Sequence, residues 1–132
     1  MFPGPDTELT HILVVRDPAA SLAWYRDVLG ATIEREYGSS LVLRFAGSWL
    51  LLVEGGAPTD DKPTVTLEPP SDPDRRDHLF TIRVEDCRTT YELLRSRGGA
   101  FLTPPVDHGR ETRAFLRDPD GHLFEISEYR AD

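Results

Sequence analysis

The sequence has little cysteine, no long apolar run and no excess of positive charge, and each deficit excludes a class of protein. Cys87 is the only cysteine, so no disulfide can form within the chain and we expect a cytoplasmic location. No apolar segment approaches the roughly 20 residues that span a membrane, and the first residues lack the pattern of a signal peptide. The net charge of −8 argues against nucleic acid and against anionic membranes as partners.

What remains is the composition of an ordinary globular protein. The 132 residues are 39% hydrophobic and 29% charged, values typical of a chain that buries a sizeable core. We therefore expect a single domain over residues 1–132.

The first part of the chain has the pattern of one strand, one helix and three further strands. Residues 9–15 form an apolar, β-branched run typical of a strand. Asp17-Pro18 then combines an N-cap residue with proline at the first helical position, and Gly30 ends the helix at the usual C′ position. Three strands are predicted after it: 31–37, 40–46 and 49–54.

A proline-rich segment separates this part from a second one with the same pattern. Residues 55–76 carry five prolines and several acids, and are predicted to form an extended linker in which 64–67 adds a short edge strand. A strand is then predicted over 79–84, and a helix from the cap Asp86 to Gly98-Gly99. The last three predicted strands are 100–103, 112–117 and 123–127.

The spacing of equivalent residues indicates a repeat. Val15-Arg16-Asp17 matches Val84-Glu85-Asp86, and 13 residues separate Asp17 from Gly30 just as 13 separate Asp86 from Gly99. Several coincidences in one register favour two copies of a βαβββ unit, at 9–54 and 77–128. The predicted fold class is therefore α+β.

The hairpin that closes the second unit contains an unusual acid. Asp118-Pro119-Asp120-Gly121 is a tight-turn sequence, because proline presets φ and glycine accepts a positive φ. The strand that leaves this turn is apolar apart from Glu125, a carboxylate that the alternation of side chains places on one defined face.

With this repeat, the chain resembles the vicinal oxygen chelate superfamily, which includes glyoxalases, bleomycin resistance proteins and extradiol dioxygenases. The resemblance rests on the residues THILVVRD at 10–17, SLAWYRDVLG at 21–30 and DPDGHLFE at 118–125. It implies two sheets, each backed by its helix, that curl around a shared cup in which small-molecule chemistry takes place. It also implies a tendency to form homodimers.

In metal-using relatives, ligands come from the first and last strands of each unit. His11, His78 and Glu125 resemble such a set at first sight. In the family pattern, however, the first-strand ligand stands seven residues before the capping Asp, and a shift of one residue moves a side chain to the other face of the sheet.

The four ligand positions implied by the family pattern are Thr10, Leu51, Leu79 and Glu125. Only Glu125 is a competent charged ligand, so we expect no metal and no other cofactor. A shifted register or a β-bulge that restores His11 or His78 to the cup is the alternative.

The residues expected on the same face as Glu125 predict a mostly apolar pocket for a small organic ligand. Its expected lining is Thr10, Trp49, Leu51, Leu79, Arg83, Arg113 and Glu125. Arg83 and Glu125 contact a ligand or form a buried ion pair with each other. Glu125 is the best candidate for a catalytic residue, because a desolvated carboxylate without a partner could serve as a general acid or base. Arg113 is expected near the mouth of the cup.

Two functions follow from the resemblance. The first is a metal-free binding protein, similar to bleomycin resistance proteins, with the cup completed by a homodimer. The second is a divalent-metal-dependent enzyme such as a glyoxalase or other lyase, a dioxygenase or a thiol transferase. The loss of three ligand positions favours the first function, and Glu125 keeps the second open. A metal-free enzyme that uses Glu125 with Arg83 is a third possibility.

Overall fold

Nine strands in two mixed sheets form the framework of the computed structural model, which describes residues 1–131 and confirms the α+β class. The first sheet has the order β1-β4-β3-β2, and the second has the order β5-β9-β8-β6 with β7 also paired to β8. The strands of the first sheet are β1 (Thr10–Val14), β2 (Thr32–Tyr37), β3 (Ser40–Phe45) and β4 (Ser48–Val53). Those of the second are β5 (Phe80–Arg83), β6 (Ala100–Phe101), β7 (Val106–Asp107), β8 (Glu111–Arg117) and β9 (Leu123–Tyr129).

The repeat is visible in the strand register. β1 runs parallel to β4 with Ile12 opposite Leu51, and β5 runs parallel to β9 with Thr81 opposite Glu125. Ile12 and Thr81 each lie five residues before a capping Asp, so the two units pair their strands with the same offset. This register confirms that Leu51 and Glu125 occupy equivalent positions.

The helices begin where the sequence predicts. Asp17 Oδ1 accepts hydrogen bonds from the first-turn amides of α1 (Pro18–Trp24), and Asp86 Oδ1 accepts one from Thr89 N in α2 (Cys87–Ser96). A π-helical turn, Tyr25–Leu29, continues α1 in place of the regular helix predicted there. It ends at Gly30, whose φ of 78° is in the left-handed region that favours glycine. No helix among residues 1–131 is long and apolar enough to cross a membrane.

Two predicted strands differ in the structure. The strand predicted over 100–103 is shorter and is followed by β7 after Pro104-Pro105, because proline has no amide hydrogen with which to continue a ladder. The edge strand predicted over 64–67 is wrong. This segment makes only an isolated bridge, in which Gly56 and Leu67 exchange two backbone hydrogen bonds of 2.9 Å.

One core joins both units. Alternate residues on one face of each sheet pack against α1, α2 and the π-helical turn in a single buried cluster. Its largest fully buried members include Leu13, Leu43, Leu52, Leu116, Phe124 and Ile126, together with Tyr25. We call the opposite face of each sheet its cup face, because it carries Thr10 and Leu51 in the first sheet and Glu125 in the second.

The closing turn of the second unit is bound to the first unit through Asp118. The buried Asp118 carboxylate accepts hydrogen bonds from Tyr25 Oη at 2.6 Å, from Asp120 N at 2.9 Å and from His122 N at 2.8 Å. His122 donates from Nε2 to the carbonyl oxygen of Val14 at 2.8 Å. His122 is therefore a structural residue.

Asp120 adds a second set of contacts from the same turn. Its Oδ1 accepts from Arg16 N at 2.9 Å and from Arg16 Nη1 at 3.0 Å, and its Oδ2 accepts from Ser21 Oγ at 3.3 Å. The Asp-Pro-Asp-Gly turn thus closes a hairpin and also joins the two units.

Tyr25→Phe is expected to destabilise the protein more at neutral than at acidic pH. Burial raises the pKa of the Asp118 carboxyl, and the Tyr25 hydrogen bond opposes that rise. A raised folded-state pKa contributes stability that is complete below the unfolded value, about 3.9, and is lost as the pH rises through the folded value. Removing the hydroxyl raises the folded pKa further, so we expect a loss of about 2 kcal/mol near neutrality and less below about pH 4.

Urea unfolding across this pH range measures the effect, and ¹³C NMR of the Asp118 carboxyl reports its titration directly. A loss of stability that does not vary with pH, together with an unchanged Asp118 titration, would contradict the prediction. Tyr37→Phe, which removes an exposed hydroxyl that accepts from Arg35 Nη1, is the control.

Candidate functional site

The cup face of the second sheet is centred on Glu125. This side chain is 8% exposed and lies between its strand neighbours Thr81 on β5 and Phe115 on β8. Thr81 Oγ1 donates to Glu125 Oε1 at 2.8 Å. Glu125 therefore has a hydrogen-bond partner, and the unpartnered carboxylate considered from the sequence is not what the structure contains.

The next row of side chains along the sheet holds the charged groups. Arg83 Nη1 donates to Ser127 Oγ at 2.8 Å, and Ser127 Oγ donates to Glu111 Oε2 at 2.6 Å. Arg113 Nη1 contacts the other oxygen of the same carboxylate, Glu111 Oε1, at 3.2 Å. The Ser127 hydroxyl, and after it the Arg113 guanidinium, lower the pKa of the Glu111 carboxyl below its usual value.

The alternative in which Arg83 and Glu125 form an ion pair with each other is wrong. Register explains the difference, because β5 places Arg83 opposite Ser127, whereas Thr81 lies opposite Glu125. Arg83 instead forms an ion pair with Glu111, with a distance of 4.0 Å between Arg83 Nη1 and Glu111 Oε2. Glu111 was not predicted as a site residue, although its position two residues before Arg113 on β8 places both on one face.

A groove of about 500 Å³ runs along the edge of β5 that has no strand partner among residues 1–131. Its walls are mainly apolar and come from β1, from the β3–β4 hairpin and from both sheet cores. Its lining includes Leu50, Leu79, Phe80, Ile82 and Phe124, with Thr81 and Arg83 as polar members. Of the predicted ligand-binding residues, Leu79 and Arg83 line this groove, and Glu125 is joined to it through Thr81.

Arg113 lies on β8 of the second sheet, where it contacts Glu111, and the remaining three predicted residues lie on the first sheet. Thr10 and Trp49 line a separate hollow of about 250 Å³. The Trp49 ring packs under the Arg44 guanidinium, 4.5 Å from the ring centroid, and Leu51 is half-buried on the same face. No hydrogen bond, ion pair or ring contact described within residues 1–131 joins these three residues to Glu125. The residues predicted to line one pocket are therefore divided between the two sheets of the chain.

The residues at the family's ligand positions do not fit a divalent metal. Three of the four, Thr10, Leu51 and Leu79, supply no charged ligand. Within residues 1–131, no group of three or more His, Cys, Asp or Glu side chains is arranged to hold a metal ion.

Neither histidine is restored to the cup by a bulge. His11 pairs with the buried Leu50 on the core side of the first sheet and packs edge-on against Phe80, with ring centroids 5.0 Å apart. His78 is exposed and contacts Asp77 Oδ1 at 3.1 Å.

Known proteins resemble this chain in sequence and in structure. The family model of the glyoxalase/bleomycin resistance protein/dioxygenase superfamily matches residues 8–126. The chain is 28% identical over 129 residues to a probable lactoylglutathione lyase from Synechocystis sp., covering 89% of this chain and 92% of the relative. A 51-residue stretch, 37% of this chain, is 41% identical to a probable chloroplastic lactoylglutathione lyase from Arabidopsis thaliana, of which it spans 15%.

The fold is also similar to that of a solved protein. The crystal structure of a glyoxalase/bleomycin resistance protein/dioxygenase from Alicyclobacillus acidocaldarius superposes with a TM-score of 0.74 at 21% sequence identity. The match covers 99% of this chain and 97% of that one.

Proposed function

Because this chain belongs to the glyoxalase/bleomycin resistance protein/dioxygenase superfamily, we propose that it binds a small organic molecule without a divalent metal. The observation that carries the proposal is the content of the four family ligand positions, where Glu125 is the only charged side chain. Because the other three positions hold neutral side chains, Glu125 alone offers too few ligands to hold a divalent ion.

The groove along β5 supports this function. Its volume of about 500 Å³ is within the roughly 300–1,000 Å³ of small-molecule pockets, which are mostly apolar with a few polar groups that orient the ligand. Phe80, Ile82 and Phe124 supply apolar wall, and Thr81 and Arg83 supply the polar groups. Glu125 lies behind Thr81, where it fixes the direction of that hydroxyl.

We further propose that two copies of the chain complete the cup as a homodimer. In a single chain both cup faces are open, with Ile12 54% exposed on the first sheet and Leu79 43% exposed on the second. Apolar side chains on an open sheet face are covered when another surface packs against them. A second copy would bring Thr10, Trp49 and Leu51 of one chain toward Leu79 and Glu125 of the other.

Leu79→Arg is expected to weaken binding of a neutral aromatic probe, N-phenyl-1-naphthylamine, at least about tenfold, because a long charged side chain would occupy an apolar wall of the groove. Leu93→Arg is the matched control, since Leu93 is 47% exposed on α2, outside the groove lining. Probe fluorescence in a titration measures both affinities, and we expect no change when the protein is first treated with a chelator. Equal binding by the two variants would contradict the site.

The same samples test the metal and the assembly. We expect purified protein without stoichiometric divalent metal and with a solution mass of twice 14.9 kDa. Bound metal that is lost in Glu125→Gln would overturn the metal-free proposal, and a monomer at micromolar concentration would overturn the shared cup.

A metal-dependent lyase is the second candidate function. Glu125 favours it, as does the likeness to the Synechocystis protein named probable lactoylglutathione lyase. Interconversion of S-lactoylglutathione with glutathione and methylglyoxal that requires added divalent metal, and is abolished in Glu125→Gln, would support the enzyme over the binding protein.

A further inference from the structure

We propose that Arg83, Arg113 and Ser127 form a cradle for the carboxylate of a small organic acid, and that Glu111 fills this cradle when no ligand is bound. The inference deepens the proposed function and rests on it, because it names the chemical class of the ligand. We call these three residues the anion cradle.

The anion cradle already holds a carboxylate with suitable geometry. Glu111 Oε2 lies 2.6 Å from Ser127 Oγ and 4.0 Å from Arg83 Nη1, while Glu111 Oε1 lies 3.2 Å from Arg113 Nη1. A guanidinium can only donate, so Ser127 Oγ accepts from Arg83 and directs its own hydrogen toward the carboxylate. Two guanidinium groups and a hydroxyl therefore converge on one carboxylate.

The donors of the cradle are held in place without Glu111. Ser127 is fully buried in β9, and Arg83 lies opposite it on β5. The Arg83 guanidinium also lies over the Tyr129 ring, and that of Arg113 over the Phe115 ring. Binding a ligand would therefore require little reorganisation of the site, which favours affinity.

Glu111 is placed to leave the cradle by a side-chain rotation. It is the first residue of β8, and its backbone carbonyl accepts from His108 N at 2.7 Å, so the main chain stays anchored while the side chain moves. Its side chain is 25% exposed, which gives the displaced carboxylate a route to water. The exchange replaces one carboxylate with another, so the charge inside the cradle is conserved.

One donor of the cradle is not used by Glu111. Arg113 Nε is buried and has no hydrogen-bond partner among the described residues. A buried donor without a partner is costly. A ligand carboxylate that is free to reorient can reach a guanidinium through two parallel hydrogen bonds, which the tethered Glu111 does not make.

The position of Arg83 indicates the chemistry of the rest of the ligand. Arg83 belongs both to the cradle and to the lining of the groove of about 500 Å³ along β5. A ligand whose carboxylate enters the cradle would extend along β5 from Arg83 past Thr81 toward Leu79, which is apolar and shares their face. The expected ligand is therefore a carboxylic acid with an apolar or aromatic body.

Two probes of the same shape test the inference on the full chain. 2-Naphthoate carries the carboxylate, and 2-naphthamide is its neutral isostere. We expect the wild-type protein to bind naphthoate about tenfold more tightly than naphthamide, measured by isothermal titration calorimetry. We expect Arg113→Met to remove this preference by weakening naphthoate about tenfold while leaving naphthamide unchanged.

Glu111→Gln tests whether the ligand carboxylate has to displace the Glu111 carboxylate from the cradle. A neutral side chain competes less for the guanidinium groups, so we expect naphthoate to bind about three- to tenfold more tightly and naphthamide to bind as before. Glu92→Gln is the matched control, because Glu92 is an exposed acid of α2 that also pairs with an arginine, Arg95. It removes the same charge without touching the cradle.

The outcomes distinguish the inference from the function on which it rests. Equal binding of the two probes, or naphthoate binding that is the same in Glu111→Gln and Glu92→Gln, would overturn the anion cradle and leave the small-molecule site standing. If neither probe binds the wild-type protein, the proposed function fails and the inference fails with it. Thermal unfolding of each variant verifies that the compared proteins are folded.

Discussion

Asp118→Ala is expected to lower the free energy of unfolding by about 3–5 kcal/mol, because it removes a buried carboxylate that serves three donors. Those donors are Tyr25 Oη, Asp120 N and His122 N, and Asp118 itself is 5% exposed. Each of these donors would lose its acceptor in a buried region where water cannot readily replace it. We expect the two units to lose part of their mutual attachment, because Tyr25 belongs to the first unit and Asp118 to the second.

Denaturant unfolding followed by circular dichroism measures this loss. Asp77→Ala is a matched control, because Asp77 is 98% exposed and its side chain accepts from a single partner, the exposed His78. We expect it to change the stability by less than about 0.5 kcal/mol. A loss below about 1 kcal/mol in Asp118→Ala would mean that the interlocked turn contributes little to stability.

Gly55→Ala is expected to cost about 3 kcal/mol, from backbone strain of about 1–2 and from overpacking of similar size. Gly55 has a φ of 88°, and a Cβ atom there would lie 2.4 Å from the carbonyl oxygen of Leu67 and 2.8 Å from Val14 Cγ1. The first of these neighbours is backbone and cannot rotate away. We expect the segment that contains Leu67 to move off the end of the first sheet.

Gly47→Ala measures the cost of backbone strain at a positive φ without the steric contact that Gly55→Ala introduces. Gly47 also has a positive φ, 76°, but a Cβ atom there would meet nothing within 4 Å. We therefore expect a loss of only about 1 kcal/mol at this position. Hydrogen exchange measured by mass spectrometry locates the effect, with faster exchange over residues 56–67 expected in Gly55→Ala alone. Equal losses of stability in the two variants would show that the close approach of Leu67 has no energetic weight.

Local signals in the sequence predicted most of the secondary structure. Helix starts at Asp17 and Asp86 were predicted because a capping side chain acts within two or three residues of its own position. The face of Glu125 was predicted because side chains alternate along a strand, and the same rule placed His11 on a different face from Thr10; in the structure His11 is paired with Leu50. The equivalence of Leu51 and Glu125 followed from counting residues within a repeat.

Prediction failed where the answer depends on neighbours that are distant in sequence. An ion pair between Arg83 and Glu125 was one of two alternatives, but Arg83 lies opposite Ser127, 44 positions away, in a strand register that no local pattern shows. Segment 64–67 has strand composition, yet it makes only an isolated bridge, between Leu67 and Gly56, and pairs with no strand of either sheet. Glu111 was overlooked as a site residue because its significance comes from two arginines, one of which lies on another strand.

The sequence by itself determined the repeat, the α+β class, the hairpin at Asp118 and the absence of a charged ligand at Thr10, Leu51 and Leu79. These depend on turn chemistry, capping and strand alternation, which act over a few residues. The tertiary structure alone decided that Asp118 bonds Tyr25 across 93 positions of the chain and that Glu111 occupies the anion cradle. It also decided that Glu125 is partnered by Thr81. These outcomes depend on how two complete units pack together, and the energy of that packing is distributed over contacts that no local pattern records.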